Sequence, residues 1–425
     1  MAGTPQQGYY AASVGPSLSR PALAGHRTTD ICVIGAGYTG LSAALHIAEA
    51  GARVLVLEAE SVGFGASGRN GGQIHSGWRK DQRELEQWLG PLHARDLWGL
   101  AQEAKALVRK LIERHAIDCE LKLGLVSAAH SARAARALAR DTEHMSTVYG
   151  YSGFRILSAE ECCEEIGSRI YRAGRFDAGG GHLHPLLYAR GLALAAERAG
   201  AEICEQSAVL GIEIGRSSID LTCAGGRARA GRVILATDAF VGELVPSLDR
   251  YVGRIESFVT ATAPLPSPLY HAILPRDFAV ADTRHVLDYY RKSADRRLLF
   301  AGREACFRRP SDIAALVRPR LLRVFPQLRE IPIEYAWSGT VGITVTRMPH
   351  FGKIADGLSF GHGYSGQGVA LATLGGSLLA EAASGREERF DVLARIPPRE
   401  FPGGQALRRP LLAAGLLAYK LVDAF

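Results

Sequence analysis

The hydrophobic pattern near the N-terminus predicts a strand, a helix and a second strand in succession. Residues 30–34 (DICVI) and 53–57 (RVLVL) are short apolar runs, and residues 41–50 place apolar side chains at helical spacing between them. Gly51 stands where such a helix would stop. The segment is therefore predicted to form a βαβ unit, which is typical of α/β folds.

Helical and strand-like patterns alternate along the rest of the chain. Ser158 and Glu161 have the spacing of a capping box, and Pro185 is placed to open a helix that Gly200 closes. Other helices are predicted over residues 94–115, 131–149 and 369–384. Strand-like runs cover residues 201–205, 208–214, 217–223 and 227–235.

Composition is that of an ordinary globular protein. Of the 425 residues, 47% are hydrophobic and 22% are charged, which excludes disorder throughout and leaves room for two or three domains. The net charge of +7 is scattered along the chain. The densest basic run, residues 291–309, contains the apolar triplet 298–300 of a strand, so we predict no nucleic-acid partner.

Several classes of localisation and chemistry are also disfavoured. No apolar run reaches the ~18–20 residues of a membrane span, and the N-terminal region does not have the pattern of a secretory signal. The seven cysteines include no C-x-x-C pair, as expected of reduced thiols, so we predict a cytoplasmic protein. No cluster of His, Cys or carboxylates has the spacing of a metal site.

Glycine is concentrated in three blocks, residues 35–40, 63–72 and 361–376. They lie between strand-like and helix-like runs rather than among Ser and Pro, as a linker would. Glycine at such positions lets the backbone approach a ligand closely.

The first block has the pattern G-x-G-x-x-G between a strand and a helix. Gly35 permits the tight turn, Gly37 lets the backbone approach a pyrophosphate, and Gly40 allows the helix to pack closely on the strand. Glu58 ends the second strand, where an acid accepts hydrogen bonds from ribose hydroxyls and repels a 2′-phosphate. The block predicts FAD or NAD rather than NADP; the alternative is a glycine-rich turn without a ligand.

The second and third blocks extend this prediction to a long cofactor. Residues 63–73 form a run of small residues in which Ser67 and Arg69 could meet phosphate oxygens, unless the run is only a flexible surface loop. The third block leads directly into the N-terminus of another predicted helix. The dipole of that helix favours negative charge at its N-terminus, and a reduced flavin carries such a charge. Two distant glycine-rich loops therefore indicate one large cofactor held from both ends of the chain.

At this point the chain resembles a known family, the D-amino-acid oxidase/glycine oxidase superfamily of FAD-dependent amine oxidoreductases, and within it the gamma-glutamylputrescine oxidase group. The resemblance covers essentially the whole chain. It is carried by Tyr9-Tyr10-Ala11-Ala12-Ser13, Arg20-Pro21, the run from Gly65 to Gln73, Gly181-His182-Leu183-His184-Pro185, Tyr289-Tyr290-Arg291, Leu299-Phe300-Ala301-Gly302-Arg303 and the run from His362 to Gly368.

The resemblance implies an α/β (α+β two-domain) fold, with a Rossmann-like FAD-binding domain of the glutathione-reductase type and an inserted mixed-sheet substrate domain. The expected FAD-binding domain comprises residues 27–85, 170–245 and 337–390. The expected substrate domain comprises residues 86–169 and 246–336, between an N-terminal arm (1–26) and a C-terminal docked helix (391–425).

The resemblance also implies the cofactor residues. FAD is expected to be bound non-covalently, because no Cys or His stands where the family forms a flavin link. The expected FAD-binding residues are Gly35, Ala36, Gly37, Thr39, Gly40, Glu58, Ala59, Gly65, Ala66, Ser67, Arg69, Asn70, Gly71, Gly72, Gln73, Val209, Ala236, Thr237, Gly339, Gly363, Tyr364, Ser365, Gly366, Gln367, Gly368 and Val369.

Two departures from the amino-acid oxidising relatives concern the substrate. Those relatives often have W-x-G-x-R-P, whose Arg holds the substrate carboxylate, whereas this chain has Val341 at that position. N-methyl amino-acid oxidases follow the last glycine-rich loop with a Lys, and here the matching position is around Ala370. An unpaired carboxylate beside the flavin would be poorly compensated, unless Arg291 or Arg347 has taken the role.

The expected reaction is hydride transfer from the carbon beside an amine to flavin N5, followed by imine hydrolysis and reoxidation by O2 to give H2O2. Candidates for the substrate face are Trp337, Tyr364, Tyr289, Tyr290 and His75, with Trp78 beside them; the alternative for each is core packing. At most one of Tyr289 and Tyr290 can point inward, because neighbouring strand residues face opposite ways.

The expected partners are a small-molecule amine, such as gamma-glutamylputrescine or a similar acylated diamine, and O2. Three alternatives stay open: an oxidase or dehydrogenase of a sarcosine- or glycine-type amino acid, a dehydrogenase with another electron acceptor, and a non-catalytic flavoprotein. The sequence does not indicate the oligomeric state.

Overall fold

Two β-sheets organise the chain in the computed structural model, which describes residues 8–16, 18–242, 244–306, 310–404, 407–408 and 410–415. The strands are β1 (Gly25–Ile34), β2 (Val54–Leu57), β3 (Gln73–Ile74), β4 (Lys122–Ala129), β5 (Phe154–Leu157), β6 (Ala173–His182), β7 (Glu202–Cys204), β8 (Val209–Ile214), β9 (Ile219–Cys223), β10 (Gly226–Leu235), β11 (Val252–Thr262), β12 (Ala279–Asp282), β13 (Tyr289–Lys292), β14 (Leu298–Ala305), β15 (Ile333–Thr344), β16 (His350–Ala355) and β17 (Leu358–His362).

Helices connect and cover these strands. They are α1 (Tyr9–Ser13), α2 (Tyr38–Glu49), α3 (Gln82–Leu89), α4 (Pro91–Arg114), α5 (Ala132–Tyr149), α6 (Ala159–Ile166), α7 (Pro185–Arg198), α8 (Pro246–Asp249), α9 (Ser267–Ala272), α10 (Ile313–Val324), α11 (Gly368–Ala383) and α12 (Glu388–Ala394). Short 3-10 turns cover Ala66–Gly68, Asp238–Phe240 and Pro326–Leu328.

The first sheet has a parallel centre. Its strands follow the order β17-β10-β1-β2-β7, all parallel, with β16 antiparallel at one edge and the β8–β9 hairpin pairing with β10. Parallel neighbours need a crossover, which α2 supplies between β1 and β2. The carboxyl ends of β1, β2 and β10 therefore meet at one edge of the sheet.

Both faces of this sheet are buried, which explains its uninterrupted apolar strands. Ile31 and Val33 point into a core formed with α2, α4, α7 and α11. Cys32 and Ile34 point the other way, into a core formed with the β8–β9 hairpin. Helices therefore cover one face of the first sheet, and the β8–β9 hairpin covers the other face.

The second sheet has the order β15-β11-β14-β13-β12-β4-β6-β3, with β5 pairing with β6. One face packs on α6 and α10 through side chains such as Ile166, Val317 and Leu321. The opposite face carries Val259, Ala301 and neighbouring residues and turns toward the glycine-rich segments of the first sheet.

The predicted fold class is confirmed, and most predicted elements lie where the pattern placed them. The predicted run 30–34 is only the second half of β1, because its first half, Gly25–Thr29, is polar and mostly exposed yet pairs with β10. Ser158 and Glu161 form the predicted capping box. His184 caps α7 by accepting from the Leu187 amide (3.2 Å), whereas His182 is hydrogen-bonded to the Asp277 carbonyl.

The domain boundaries stay a prediction, and the sheets divide the chain differently in places. Residues 173–182 and 337–344, assigned to the FAD-binding domain, lie in the second sheet, and α4, assigned to the substrate domain, packs on α11. Of the predicted terminal helix, residues 405–406, 409 and 416–425 lie outside the described residues.

Candidate active site

A large cavity runs between the two sheets. Its volume is about 1420 Å³, above the ~300–1,000 Å³ of ordinary small-molecule sites. All three glycine-rich blocks contribute to its walls, and so does the inner face of the second sheet. A cavity of this size has room for a dinucleotide together with a substrate.

The dinucleotide end lies where β1, β2 and β10 finish, the position at which α/β sheets bind ligands. Gly35 has φ +104°, and a Cβ there would lie 2.7 Å from the Ala236 carbonyl oxygen. The α2 helix begins directly after Gly37 and presents its N-terminus to the cavity. Bare backbone and a helix dipole therefore face the place where a pyrophosphate would bind.

Gly40 acts from behind this turn and does not line the cavity. A Cβ at Gly40 would lie only 1.9 Å from the Gly35 carbonyl oxygen. The absent side chain lets α2 lie directly on the end of β1, as the motif predicted.

Glu58 lies at the end of β2 and holds the turn together. Its Oε2 accepts from the Ala36 amide (2.6 Å) and its Oε1 from the Glu60 amide (3.0 Å). Burial raises the pKa of Glu58 above its ordinary value, and the two amides oppose that shift. Predicted residues beside it on the cavity wall are Ala59, Val209, Ala236 and Thr237.

The second glycine-rich block is fixed by its own hydrogen bonds and is an ordered loop of the site. Ser67 Oγ accepts from the Tyr38 amide at the start of α2 (3.0 Å). Asn70 donates to the Ala66 carbonyl and accepts from the Gly72 amide, which closes the loop on itself. Arg69 donates to the Phe64 carbonyl (2.7 Å) while lining the cavity.

The third block is anchored by an aspartate that the sequence analysis missed. Asp238 follows the end of β10 and accepts from the Gly363 amide (2.7 Å) and the Gly342 amide (3.2 Å). Its φ of +43° is unusual for a non-glycine residue. An acid directly after the small residues Ala236 and Thr237 was the available signal.

Two polar atoms indicate that a ligand completes this site. Thr237 Oγ1 and Gln367 Oε1 are buried without a hydrogen-bond partner in the described part of the chain, and both residues line the cavity. Buried polar groups in folded proteins are normally satisfied. Together with the glycine cradle and Glu58, these groups fit FAD.

Most of the predicted cofactor residues meet at the cavity. Gly40, Gly72 and Gly363 do not line it and instead serve packing: a Cβ at Gly72 would lie 2.0 Å from the Leu183 carbonyl oxygen. The residues that do line it are Gly35, Ala36, Gly37, Thr39, Glu58, Ala59, Gly65, Ala66, Ser67, Arg69, Asn70, Gly71, Gln73, Val209, Ala236, Thr237, Gly339, Tyr364, Ser365, Gly366, Gln367, Gly368 and Val369.

The adjacent tyrosines of β13 face opposite ways, as expected, and only Tyr289 reaches the cavity. Its ring packs on Gly71, where a Cβ would come within 2.5 Å of a ring carbon, and its hydroxyl lies 3.3 Å from Ser257 Oγ. Tyr290, also proposed for the substrate face, is a core residue: its ring stacks on Phe300 and its hydroxyl donates to Tyr171 (3.0 Å).

Trp337 is likewise placed behind the site. Its indole Nε1 donates to the Arg69 carbonyl (3.0 Å), so it supports the second glycine-rich block from the side away from the cavity. Tyr10 of α1 covers its ring, with centroids 5.1 Å apart, and separates it from solvent. The proposed role at the substrate face is therefore replaced by a role in holding the loop.

Tyr364 and His75 both line the cavity. The Tyr364 hydroxyl is hydrogen-bonded to Thr39 Oγ1 (2.7 Å), which joins the third glycine-rich block to α2. Burial, with a smaller contribution from Arg79, lowers the pKa of His75 to about 4, so its imidazole is neutral at physiological pH. Trp78 lies on the same wall.

The two candidate substitutes for the missing carboxylate-binding Arg are placed differently. Arg291 is buried and donates to the Gly71 carbonyl (2.9 Å) and to the Tyr10 hydroxyl (3.3 Å), and it does not line the cavity. Arg347 does line the cavity. It follows the end of β15 and has a φ of +62°. Val341 lines the cavity on β15 itself, opposite Ile255.

A dinucleotide site at the carboxyl ends of parallel strands, closed by a second sheet with a substrate-sized space, defines a flavin-dependent oxidoreductase. The chain belongs to the FAD dependent oxidoreductase family (DAO), whose model matches residues 30–382. The protein is thus an enzyme with FAD as its cofactor.

Three proteins show how similar the chain is to known sequences and structures. The chain is 39% identical to gamma-glutamylputrescine oxidoreductase of Escherichia coli (strain K12), over 98% of this chain and 97% of the relative. It is 36% identical to the probable oxidoreductase OrdL of Haemophilus influenzae, with the same coverage of 98% and 97%. Among solved structures, glycine oxidase from Geobacillus kaustophilus matches with a TM-score of 0.73 and 22% identity, covering 85% of this chain and 96% of that one.

None of the helices that the structure describes has the length and apolarity needed to cross a membrane. No group of three or more His, Cys, Asp or Glu side chains among the described residues is arranged to hold a metal ion.

Proposed function

We propose that the protein is an FAD-dependent oxidase of amines whose reacting carbon bears no carboxylate, with gamma-glutamylputrescine or a similar acylated diamine as substrate. The observation that carries this proposal is the 39% identity to gamma-glutamylputrescine oxidoreductase along almost the whole of both chains. Apolar Val341 on the cavity wall supports it, since a carboxylate at this place would have no cation on β15.

Bound non-covalently, FAD would supply an acceptor for the hydride of the carbon beside the amine, in an overall reaction that converts the amine, water and O2 into an aldehyde, ammonia and H2O2. The residues of this chain would bind and orient it. The ends of β1, β2 and β10 would hold the adenosine and pyrophosphate, and the second and third glycine-rich blocks would hold the ring.

The inner face of the second sheet shapes the substrate space. Tyr289 lies against Gly71, so its ring defines the wall next to the loop that would hold the flavin. Ile255, Val259 and Val341 add apolar surface to this part of the cavity. Apolar surroundings disfavour the charged form of an amine, so they lower the cost of removing the proton that it must lose before it reacts.

The alternative substrate is a small amino acid of the glycine or sarcosine type. The presence of Arg347 on the cavity wall favours it, because a guanidinium can pair with a carboxylate. A dehydrogenase that passes electrons to an acceptor other than O2 has the same site and differs only in reoxidation.

Oxygen uptake, peroxide and aldehyde, measured with gamma-glutamylputrescine, putrescine, sarcosine and glycine, test the proposal. We expect turnover of the acylated diamine, with one peroxide formed per aldehyde. Turnover of glycine or sarcosine in its place would favour the amino-acid alternative. Aldehyde formation that requires a quinone or carrier protein would favour the dehydrogenase.

A further inference from the structure

Glu304 is a carboxylate on the cavity wall that the FAD site does not use. It lies near the end of β14 and lines the cavity together with Tyr289 and Ser257. Among the residues that the structure describes, the charges of Arg347, Arg79 and Arg320 act on its carboxylate, without a hydrogen bond. A carboxylate without a direct hydrogen bond leaves its acceptor positions open to a ligand.

A β-bulge turns this side chain toward the cavity. Along β11, Val259 pairs with Ala301 and the next residue, Phe258, pairs with Arg303, so Gly302 is an extra residue in β14. Without the bulge Glu304 would face away from Ala301, into the core against α10; with it the two share the cavity face. The bulge suits glycine, because a Cβ at position 302 would lie 2.4 Å from Asp288 Oδ1.

The register places Glu304 beside the cofactor loop. Ser257 is its cross-strand partner on β11, and Ser257 Oγ lies 3.3 Å from the Tyr289 hydroxyl. The Tyr289 ring in turn packs on Gly71 of the second glycine-rich block. The carboxylate therefore faces the substrate space next to the segment that would hold the flavin ring.

The charges around Glu304 come from three elements. Arg347 after β15, Arg79 after β3 and Arg320 of α10 are the cations that act on it, and each favours the ionised form. Burial is the larger effect and raises the pKa of Glu304. The titratable neighbours are Tyr289 and Cys306, on whose hydroxyl and thiol the carboxylate acts.

We propose that Glu304 is a catalytic residue that binds the ammonium group of the substrate and removes one of its protons. This inference rests on the proposed function and names the group that prepares the amine. An N–H bond of R–CH2–NH3+ breaks, its electron pair stays on nitrogen, and an O–H bond forms on the Glu304 carboxylate. The neutral amine remains in the cavity, and no oxidant or reductant takes part.

The same carboxylate selects the class of substrate. A cationic amine neutralises Glu304, whereas an amino acid would bring a second carboxylate near it, and like charges at short range repel. Val341 and Glu304 together therefore favour aliphatic amines without a carboxylate beside the reacting carbon.

The first test follows anaerobic flavin reduction in the holoenzyme with gamma-glutamylputrescine from about pH 6 to pH 10. We expect Glu304→Gln to slow reduction about 10²–10⁴-fold at pH 7, the usual contribution of a positioned base. Because only free neutral amine then reacts, the rate of the variant should rise about tenfold per pH unit and approach that of wild type near the ~10 pKa of the amine. Glu256→Gln, which changes a carboxylate on β11 outside the cavity lining, should behave as wild type.

The second test uses tert-butylamine, which has no hydrogen on the carbon beside nitrogen and cannot be oxidised. Its binding to the holoenzyme is followed through the flavin absorbance at pH 7. We expect Glu304→Gln to raise Kd at least about tenfold, equivalent to the loss of one charge-assisted hydrogen bond. Glu304→Asp keeps the charge and should retain much of the binding; FAD content and Tm establish that each variant is folded.

The outcomes separate this inference from the proposed function. Wild-type reduction rates and pH profile in Glu304→Gln, or equal tert-butylamine binding in wild type and variant, would overturn the role of Glu304. If no amine reduces the wild-type flavin, the proposed function is wrong, yet tert-butylamine binding that is lost only in Glu304→Gln would still support the ammonium site.

Discussion

Replacing Gly40 by Ala tests whether α2 must lie directly on β1 for FAD to bind. A Cβ at this position would lie 1.9 Å from the Gly35 carbonyl oxygen and 3.2 Å from Val33 Cγ1. The helix has no room to retreat, because α11 presses on its other side, where a Cβ at Gly376 would lie 2.2 Å from the Thr39 carbonyl oxygen. The added methyl group must therefore displace backbone.

The size of the effect follows from these distances. Relieving the contact requires a shift on the order of 1 Å, and overpacking of this kind costs ~1–3 kcal/mol, partly offset by the ~0.5–1 kcal/mol that Ala gains over Gly in a helix. The shift also moves the amides that would bind the pyrophosphate. Losing one hydrogen bond to a charged group, about 1.5–3 kcal/mol, weakens the FAD Kd about 10- to 150-fold.

The assay is fluorescence titration of the apoprotein with FAD, accompanied by thermal unfolding of the apoprotein. Gly99→Ala is the matched control, because Gly99 is also inside a helix and no heavy atom lies within 4 Å of its added Cβ. It should leave FAD binding unchanged and raise stability slightly. If Gly40→Ala bound FAD as tightly as Gly99→Ala, the close packing of α2 on β1 would not be required for the site.

The other predictions concern the tyrosine pair, acid stability and the N-terminal segment. Tyr290→Phe should lower stability by ~0.5–1.5 kcal/mol and leave kcat/KM unchanged, whereas Tyr289→Phe should mainly lower kcat/KM; the reverse pattern in urea unfolding and amine turnover would refute their placement. Burial lowers the pKa of His184 to about 3, below the ~6.5 of an unfolded chain, so stability falls as pH drops between these values by up to ~1.4 kcal/mol per pH unit. His184→Asn supplies an oxygen in place of the capping ring nitrogen and should make the fall of Tm between about pH 6 and pH 4 shallower in calorimetry; an unchanged slope would contradict this. Arg20→Met leaves Glu205, with 8% of its side chain exposed, without its ion pair and should cost ~3–5 kcal/mol in urea unfolding; a loss below ~1 kcal/mol would show that the pair is not needed.

Local pattern predicted the cofactor half of the molecule well. The turn at Gly35, the helix after Gly37 and the acid Glu58 are determined by neighbours within about thirty residues, so periodicity and turn chemistry are enough to place them. The strands β7 to β10 were found for the same reason, since turn residues separate short apolar runs.

The substrate half depends on contacts that periodicity does not contain. Trp337 adjoins a cofactor motif in sequence, but Tyr10 of the N-terminal segment covers it and turns its indole to Arg69. The cavity position of Glu304 depends on one extra residue, Gly302, in the pairing of two strands. Register of this kind is set by both strands together, so neither strand alone predicts it.

We propose that this cavity oxidises an amine whose reacting carbon has no carboxylate. Anaerobic addition of gamma-glutamylputrescine to the purified yellow holoenzyme, with glycine and sarcosine added in parallel, tests it within a single turnover. We predict that the acylated diamine bleaches the flavin absorbance rapidly and that the two amino acids leave it unchanged. Bleaching by glycine or sarcosine, with none by the diamine, would contradict this proposal and assign a carboxylate-binding role to a cation such as Arg347.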